Sequence, residues 1–132
     1  MTQNELNKII ENHQHYLNKD IDGWETMKAD LSYKNLSGLD LRNANLIEAD
    51  LSNASLSNSN LRNANLNNAN LREANLYGAN LSYVDLRDAD LRKADLRDAD
   101  LNNADLRDAD LNNACLRYAN LRKTALRNVD LS

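Results

Sequence analysis

Residues 86–110 read LRDADLRKADLRDADLNNADLRDAD, which is five consecutive units of five residues that each begin with leucine. The spacing extends in both directions, so that leucine occupies every fifth position from Leu31 to Leu131, 21 times without a gap. Two residues before each leucine, at the −2 position, alanine stands in 15 of the 21 units. At the −1 position, Asp or Asn stands in 18 units. The +1 and +2 positions are mostly polar, and this repeat decides the fold.

A period of five suits neither a regular helix nor a flat strand. On an α-helix, successive leucines would be rotated by roughly 140° and would spread around the axis. On a strand they would alternate between opposite faces. The period fits a chain that turns a corner in every unit, with the leucine and the small −2 residue pointing inward. Asp or Asn at the −1 position is predicted to shape the turn, because these side chains bond nearby backbone groups and tolerate unusual dihedral angles.

Units such as Ala-Asp-Leu-Arg-Asp at 94–98 and Ala-Asn-Leu-Asn-Asn at 64–68 resemble the A(D/N)Lxx motif of the pentapeptide-repeat family. The resemblance covers about residues 29–132. It implies an all-β solenoid, a right-handed four-sided (quadrilateral) β-helix with four units, or about 20 residues, per coil and about five coils. We therefore expect an N-terminal segment, residues 1–28, followed by a β-helix over residues 29–132.

The N-terminal segment has a helical pattern. Thr2 to Glu5 reads as a capping box, and the following apolar residues lie largely on one helical face. These residues are Leu6, Ile9, Ile10, Tyr16 and Leu17. The pattern predicts a helix from about Gln3 to Asn18 that covers the first coil and its unpaired edge; a partner-binding helix is the alternative. Trp24 to Lys28 is predicted to be a degenerate first repeat, with Trp24 pointing inward.

Length and composition indicate one small soluble domain. The chain has 132 residues and a net charge of −4, with no apolar run long enough to span a membrane and no signal-peptide pattern. Its one cysteine, Cys115, has no partner for an internal disulfide. The expected location is therefore the reducing bacterial cytoplasm.

Nothing in the sequence indicates catalysis. His13 and His15 are two residues apart on the predicted helix and point in different directions, so they make a poor metal pair. There is no nucleophile–base pair and no phosphate-binding loop. A column filled with leucine offers no concave pocket. We therefore expect a protein that is not an enzyme and has no cofactor and no metal.

The outward positions supply a candidate partner surface. Tyr77 and Tyr83 are predicted to project near one corner of the third coil, and exposed tyrosines are enriched at interfaces. The acidic residues Asp88, Asp98 and Asp108 complete this candidate surface. Arginine at the +1 position of ten units is placed to separate stacked carboxylates. A solvated face of balanced charge is the favoured interpretation of these charged residues, and a binding surface is the alternative.

The predicted function is a structural or protein-interaction module with an unidentified protein partner. The alternative comes from the resemblance: some pentapeptide-repeat proteins, those that confer quinolone resistance, mimic duplex DNA and bind DNA gyrase. Against mimicry, the arginines dilute the negative charge evenly along this chain. Direct nucleic-acid binding is not expected at a pI near 5.1.

The C-terminal end is predicted to be an interface. An uncovered last coil exposes apolar side chains and unpaired backbone groups. Four residues at this end form the candidate dimer contact: Leu121, Leu126, Val129 and Leu131. We expect a tail-to-tail homodimer, with a monomer that has a frayed last coil as the alternative.

Overall fold

The repeat folds as a stack of coils in parallel register. The computed structural model describes all 132 residues. Isolated parallel bridges join residues 20 apart, from Asp30 with Asp50 up to Asp110 with Asp130. There are no continuous β-strands of more than one bridged residue. Every bridged residue occupies the −1 position of its unit. A coil therefore contains four units, and residues 20 apart lie above one another in columns.

Backbone hydrogen bonds hold each unit both to itself and to its neighbours, as the unit of Leu71 shows. The N–H of Leu71 donates to the carbonyl of Asp90 in the next coil at 2.7 Å. The N–H of Asn70 donates to Ala49 in the previous coil at 3.0 Å. Within the unit, the N–H of Ala74 donates to Leu71 at 3.0 Å and closes the turn. Proline is absent from the chain, so no donor is missing from this ladder.

The turn depends on the −1 position, as predicted, and also on the +2 position, which was not predicted. At the −1 position, 17 of the 18 Asp and Asn side chains accept a hydrogen bond from the N–H two residues later, as predicted. The exception is Asn45, whose buried Oδ1 has no partner in the protein.

The unusual dihedral angles, however, occur at the +2 position. All twenty +2 residues from Tyr33 to Asn128 have a positive φ, between 55° and 71°. Placing these dihedrals at the −1 position was therefore wrong. The −1 residue has to remain extended, because its backbone forms the bridge to the neighbouring coils.

The core is a column of leucines lined by alanines. Every repeat leucine from Leu31 to Leu111 is at most 2% exposed, and it packs with the small −2 residues in one apolar cluster. Ser59 replaces alanine at one −2 position and satisfies its buried hydroxyl by donating to the carbonyl of Leu56 at 2.6 Å. Lys34 at another −2 position lies exposed at the rim beside the helix, as its charge requires.

One α-helix, α1, runs from Gln3 to Asn18, with the predicted capping box between Thr2 and Glu5. Leu6 on its inner face is fully buried in the leucine cluster, and Ile9 and Ile10 pack against that cluster. The side-chain amide of Gln3 pairs with the backbone of Asp40 in both directions, at 2.8 and 2.9 Å. The helix thus covers the end of the first coil and occupies part of its open edge.

The segment between α1 and the repeats differs from the prediction. Trp24 to Thr26 form a short 3-10 helix instead of a degenerate repeat, and the bridges begin only at Asp30. The ring of Trp24 lies 5.9 Å from that of Tyr16 on α1, outside the leucine cluster. An indole is too large for a −2 position that elsewhere holds mostly alanine, so the side chain packs on the helix instead.

Candidate functional site

Arginine and aspartate side chains within single units form the main charged feature of the surface. In five units an arginine at the +1 position pairs with the aspartate at the −1 position of its own unit, at 2.5–2.7 Å. The pairs are Arg42–Asp40, Arg87–Asp85, Arg92–Asp90, Arg97–Asp95 and Arg107–Asp105. Two of these arginines also reach the next coil: Arg87 Nε lies 3.9 Å from Asp105 Oδ2, and Arg92 Nε lies 3.5 Å from Asp110 Oδ2. In these two columns a cation therefore lies between the stacked carboxylates, as predicted.

These pairs also set the protonation of the carboxylates. Hydrogen bonds from the Arg87, Arg92 and Arg97 guanidinium groups lower the pKa of the paired aspartates below the usual value, against the opposing effect of burial. The aspartates in these units therefore remain charged well into the acidic range. Each arginine–aspartate pair therefore has no net charge.

The candidate tyrosines lie in different columns of the same coil. Tyr77 occupies a +1 position and is 42% exposed, whereas Tyr83 occupies a +2 position of the next unit and is 49% exposed. The Arg97 guanidinium lies 5.8 Å from the centre of the Tyr77 ring, and Arg62 lies 5.0 Å from that of Tyr83. Each ring is thus backed by an arginine from a neighbouring coil, an arrangement that orders an exposed aromatic side chain.

The candidate acids do not form one surface. Asp88 and Asp108 are 20 residues apart and lie in one column, at exposed +2 positions. Asp98 is ten residues from each of them and so lies half a coil away. The period of 20 residues is the reason, because residues 10 apart never share a column. Asp98 lies instead in the column of Gly78 and beside the Tyr77–Arg97 contact.

The C-terminal end is exposed, as predicted. Leu126 is 45% exposed and Leu131 is 63% exposed, while Leu121 and Val129 are only partly buried. The backbone N–H groups of Leu121 and Leu126 have no acceptor, although the equivalent groups of earlier coils bond to the coil above. The end of the stack therefore presents both apolar surface and free donors.

One structurally important residue was missed by the sequence analysis. His13 is fully buried between α1 and the first coil, with Nε2 2.9 Å from the carbonyl of Ile47. Its spacing from Leu6, Ile10 and Leu17 places it on the same helical face as these apolar residues. The burial of His13 could therefore have been predicted from the sequence. His15 points away and contacts Asp20 at 2.8 Å, so the two histidines do diverge.

The concave features of the molecule all lie near α1. Five surface clefts are present, and every one is lined only by residues 1–48. No three side chains of His, Cys, Asp or Glu come together in a metal-binding group. No helix has the length and apolar character needed to cross a membrane. The coils beyond residue 48 present surfaces without clefts.

The repeat, the register and the turn chemistry define a class of protein. The family model for pentapeptide repeats matches eight copies, over residues 27–63, 54–92 and 94–132. The chain belongs to the pentapeptide repeat family. No curated protein matches it.

Two solved structures of pentapeptide repeat proteins resemble the chain in fold and in sequence, and a third structure is a more distant match. The pentapeptide repeat protein Rfr23 from the cyanobacterium Cyanothece 51142 is 30% identical, with 88% of this chain and 95% of that one covered and a TM-score of 0.67. A pentapeptide repeat protein from the thylakoid lumen of Arabidopsis thaliana is 31% identical, with 80% and 70% covered and a TM-score of 0.61. QnrB1, a plasmid-mediated fluoroquinolone resistance protein, is 20% identical, with 74% and 67% covered and a TM-score of 0.31.

Proposed function

We propose that this protein is a non-enzymatic interaction module that presents the polar surface of a right-handed, four-sided β-helix of about five coils to a protein partner in the cytoplasm. The observation that carries the proposal is the pair of ordered, exposed tyrosines, Tyr77 and Tyr83, each backed by an arginine from a neighbouring coil. Tyrosine and arginine, with tryptophan, are enriched among the interface residues that contribute most of the binding energy. The absence of clefts along the coils beyond residue 48 favours a flat contact over a small-molecule site.

The charge pattern favours a protein partner over DNA mimicry. A mimic of duplex DNA needs a continuous negative field, because proteins that bind DNA respond mainly to its phosphates. Here Asp85, Asp90, Asp95 and Asp105 are each neutralised by an arginine of the same unit. Of the exposed aspartates at +2 positions, Asp88 and Asp108 share one column and Asp98 lies half a coil away. Inhibition or protection of DNA gyrase is therefore the less favoured function.

A second copy of the chain is the proposed occupant of the C-terminal end. Leu126 and Leu131 are the most exposed leucines of the repeat, and the free N–H donors beside them have no acceptor. Packing two such ends across a two-fold axis buries both apolar surfaces at once. The same symmetric contact leaves the tyrosine surface in the third coil free for a different partner.

A partner-capture experiment tests the interaction proposal. The immobilised protein and a Tyr77→Ser/Tyr83→Ser variant are exposed to a soluble extract of the source cells, and retained proteins are identified by mass spectrometry. We expect a discrete set of proteins that the parent retains and the double variant loses. Tyr33→Ser, at an exposed tyrosine in the first coil, is the matched control and is expected to retain them. Identical retention by the double variant and the parent would contradict the proposal.

A further inference from the structure

The arginines of the last coil lack the ion pairs that arginines form with the −1 aspartate in five earlier units. Every arginine of the chain occupies a +1 position, and those with aspartate at the −1 position of their own unit are all paired. In the first three units of the last coil the −1 residues are Cys115, Asn120 and Ala125, none of which carries a carboxylate. The arginines that follow them are therefore left without an ion pair.

The unpaired cations form a belt around this coil. The belt consists of Arg117, Arg122, Lys123 and Arg127. All four side chains are exposed, and none of them makes a salt bridge. The three arginines fall in three successive units, so the belt extends through three of the four columns.

Other unpaired arginines of the chain have different local partners. Arg72 lies 3.6 Å from Glu73, and Arg62 lies against the ring of Tyr83. In the last coil only Arg117 has such a contact: its guanidinium lies 4.9 Å from the Tyr118 ring, and that tyrosine is 74% exposed. The belt thus combines free cations with one highly exposed aromatic side chain, a composition typical of protein interfaces.

We propose that this belt binds an acidic segment of a partner protein. The inference rests on the proposed function as an interaction module and names the chemistry of one partner. Four exposed cations in a single coil, with Asp130 the only acid among residues 117–130, are complementary to an extended chain rich in Asp and Glu. The belt side chains occupy +1 and +2 positions, so they remain at the periphery whichever surface covers the end of the stack.

The height of the belt favours a peptide over a nucleic acid. Neighbouring coils are about 4.8 Å apart, which matches the width of one extended polypeptide chain. A DNA duplex is several coils wide and would also contact the coil below, where Asp98, Asp100 and Asp108 carry no arginine partner. Repulsion between those carboxylates and the phosphates opposes that contact.

The ion pairs of the earlier units suggest a test. Placing aspartate at the −1 positions of the last coil neutralises the belt without removing its arginines. The Cys115→Asp/Asn120→Asp/Ala125→Asp variant is expected to pair each arginine as Asp95 pairs Arg97. A Cys115→Asn/Ala125→Asn variant is the matched control, since it supplies the same turn geometry without the charge. Binding of a fluorescein-labelled peptide of alternating glutamate and serine is measured by fluorescence anisotropy at several salt concentrations, beside a labelled DNA duplex of similar charge.

We expect the parent and the asparagine control to bind the acidic peptide in a salt-sensitive manner, and the aspartate variant to bind it at least tenfold more weakly. Circular dichroism verifies that all three proteins remain folded. Equal binding by the aspartate variant overturns the inference, as does the absence of peptide binding by the parent. Tighter binding of the duplex than of the peptide assigns the belt to nucleic acid and also overturns it. None of these outcomes affects the tyrosine-dependent capture, so failure of the belt is distinguishable from failure of the interaction module.

Discussion

The Nδ1 atom of His13 accepts a hydrogen bond of 3.1 Å from the backbone N–H of Ala29, across the boundary between α1 and the first coil. The Nε2–H on the other side of the ring donates to the carbonyl of Ile47 at 2.9 Å. Only the neutral imidazole with its proton on Nε2 satisfies both partners. The docking of the helix therefore depends on the protonation of one buried side chain.

This relationship predicts that docking of α1 weakens in acid. Burial, with a smaller contribution from Lys28, lowers the pKa of His13 below its usual 6.5, against opposing effects of the Ile47 carbonyl and the Glu48 carboxylate. Because its pKa is lowered when α1 is docked, His13 binds a proton more readily in the undocked state. Docking is therefore fully stable above about pH 6.5 and weakens as the pH falls toward the lowered pKa of the docked state. Exchange of the Ala29 amide, followed by NMR against pH, measures this effect.

Two variants distinguish His13 from its neighbours in that titration. His13→Gln retains a neutral donor and acceptor but cannot take up a proton, so we expect it to flatten the pH dependence below about pH 6.5. His15→Gln removes the exposed histidine that contacts Asp20 and is expected to leave the dependence intact. A pH dependence that follows His15 instead of His13 would contradict the assignment.

Substitution of a repeat leucine is expected to destabilise the protein much more in the middle of the stack than at its C-terminal end. Leu81 is fully buried in the middle of the stack, so Leu81→Ala is expected to lower the free energy of unfolding by about 2–5 kcal/mol. Leu81→Asp is expected to prevent folding, because the stack offers a buried carboxylate no partner. Leu126→Ala, at a 45% exposed leucine, is the control and is expected to cost less than about 1 kcal/mol. Urea denaturation followed by circular dichroism checks all three, and equal losses for the two alanine variants would argue against the inward column.

The left-handed +2 position predicts a stabilising substitution. Tyr33 has a φ of 58° and a side chain that is 78% exposed, so it bears the strain of this conformation with little compensating contact. Asparagine tolerates the conformation better, and Tyr33→Asn is expected to raise the free energy of unfolding by about 0.5–1 kcal/mol. Tyr33→Ala retains the strained Cβ and is the control. A denaturation midpoint for the asparagine variant at or below that of the alanine variant would refute this explanation.

The sequence predicts the inward residues well because leucine at every fifth position and alanine at the −2 position have one physical interpretation, a narrow apolar interior. The left-handed position also has a signal in the sequence, since 13 of the twenty +2 residues are Asn, Asp or Gly, which tolerate a positive φ. At Glu73, Tyr83 and Lys93, which lack that tolerance, the backbone hydrogen bonds to the next coil impose the conformation.

The candidate site was less predictable than the fold, because it depends on contacts between residues that are far apart in the sequence. Side chains that share a unit are evident from the sequence, so the separation of stacked carboxylates by arginine was predictable. Which surface residues face the same partner depends on the 20-residue coil, and this register separates Asp98 from Asp88 and Asp108. The role of His13 depends on its contact with Ala29, 16 residues away, which no local pattern specifies.

The neutralised aspartates predict that the protein does not inhibit DNA gyrase. Inhibition by mimicry requires unpaired negative charge along the length of the stack, and the arginine pairs remove it from Asp85, Asp90, Asp95 and Asp105. We expect no effect on gyrase supercoiling at micromolar protein concentration in a gel assay. Clear inhibition that is lost when Asp88, Asp98 and Asp108 are changed to Asn would instead favour mimicry.

The exposed C-terminal end predicts a tail-to-tail homodimer. Leu126 and Leu131 lie beside free backbone donors, and apolar surface with unpaired donors favours association with an identical end. The cations of the last coil oppose this approach, but they lie at outward positions where salt screens their repulsion, so we expect the dimer to strengthen as salt is raised. Sedimentation equilibrium at tens of micromolar compares the parent with a Leu126→Lys/Leu131→Lys variant, which is expected to remain monomeric, and with Tyr33→Ser as a control at the opposite end. A monomeric parent, or a lysine variant that associates as strongly as the parent, rules out this interface.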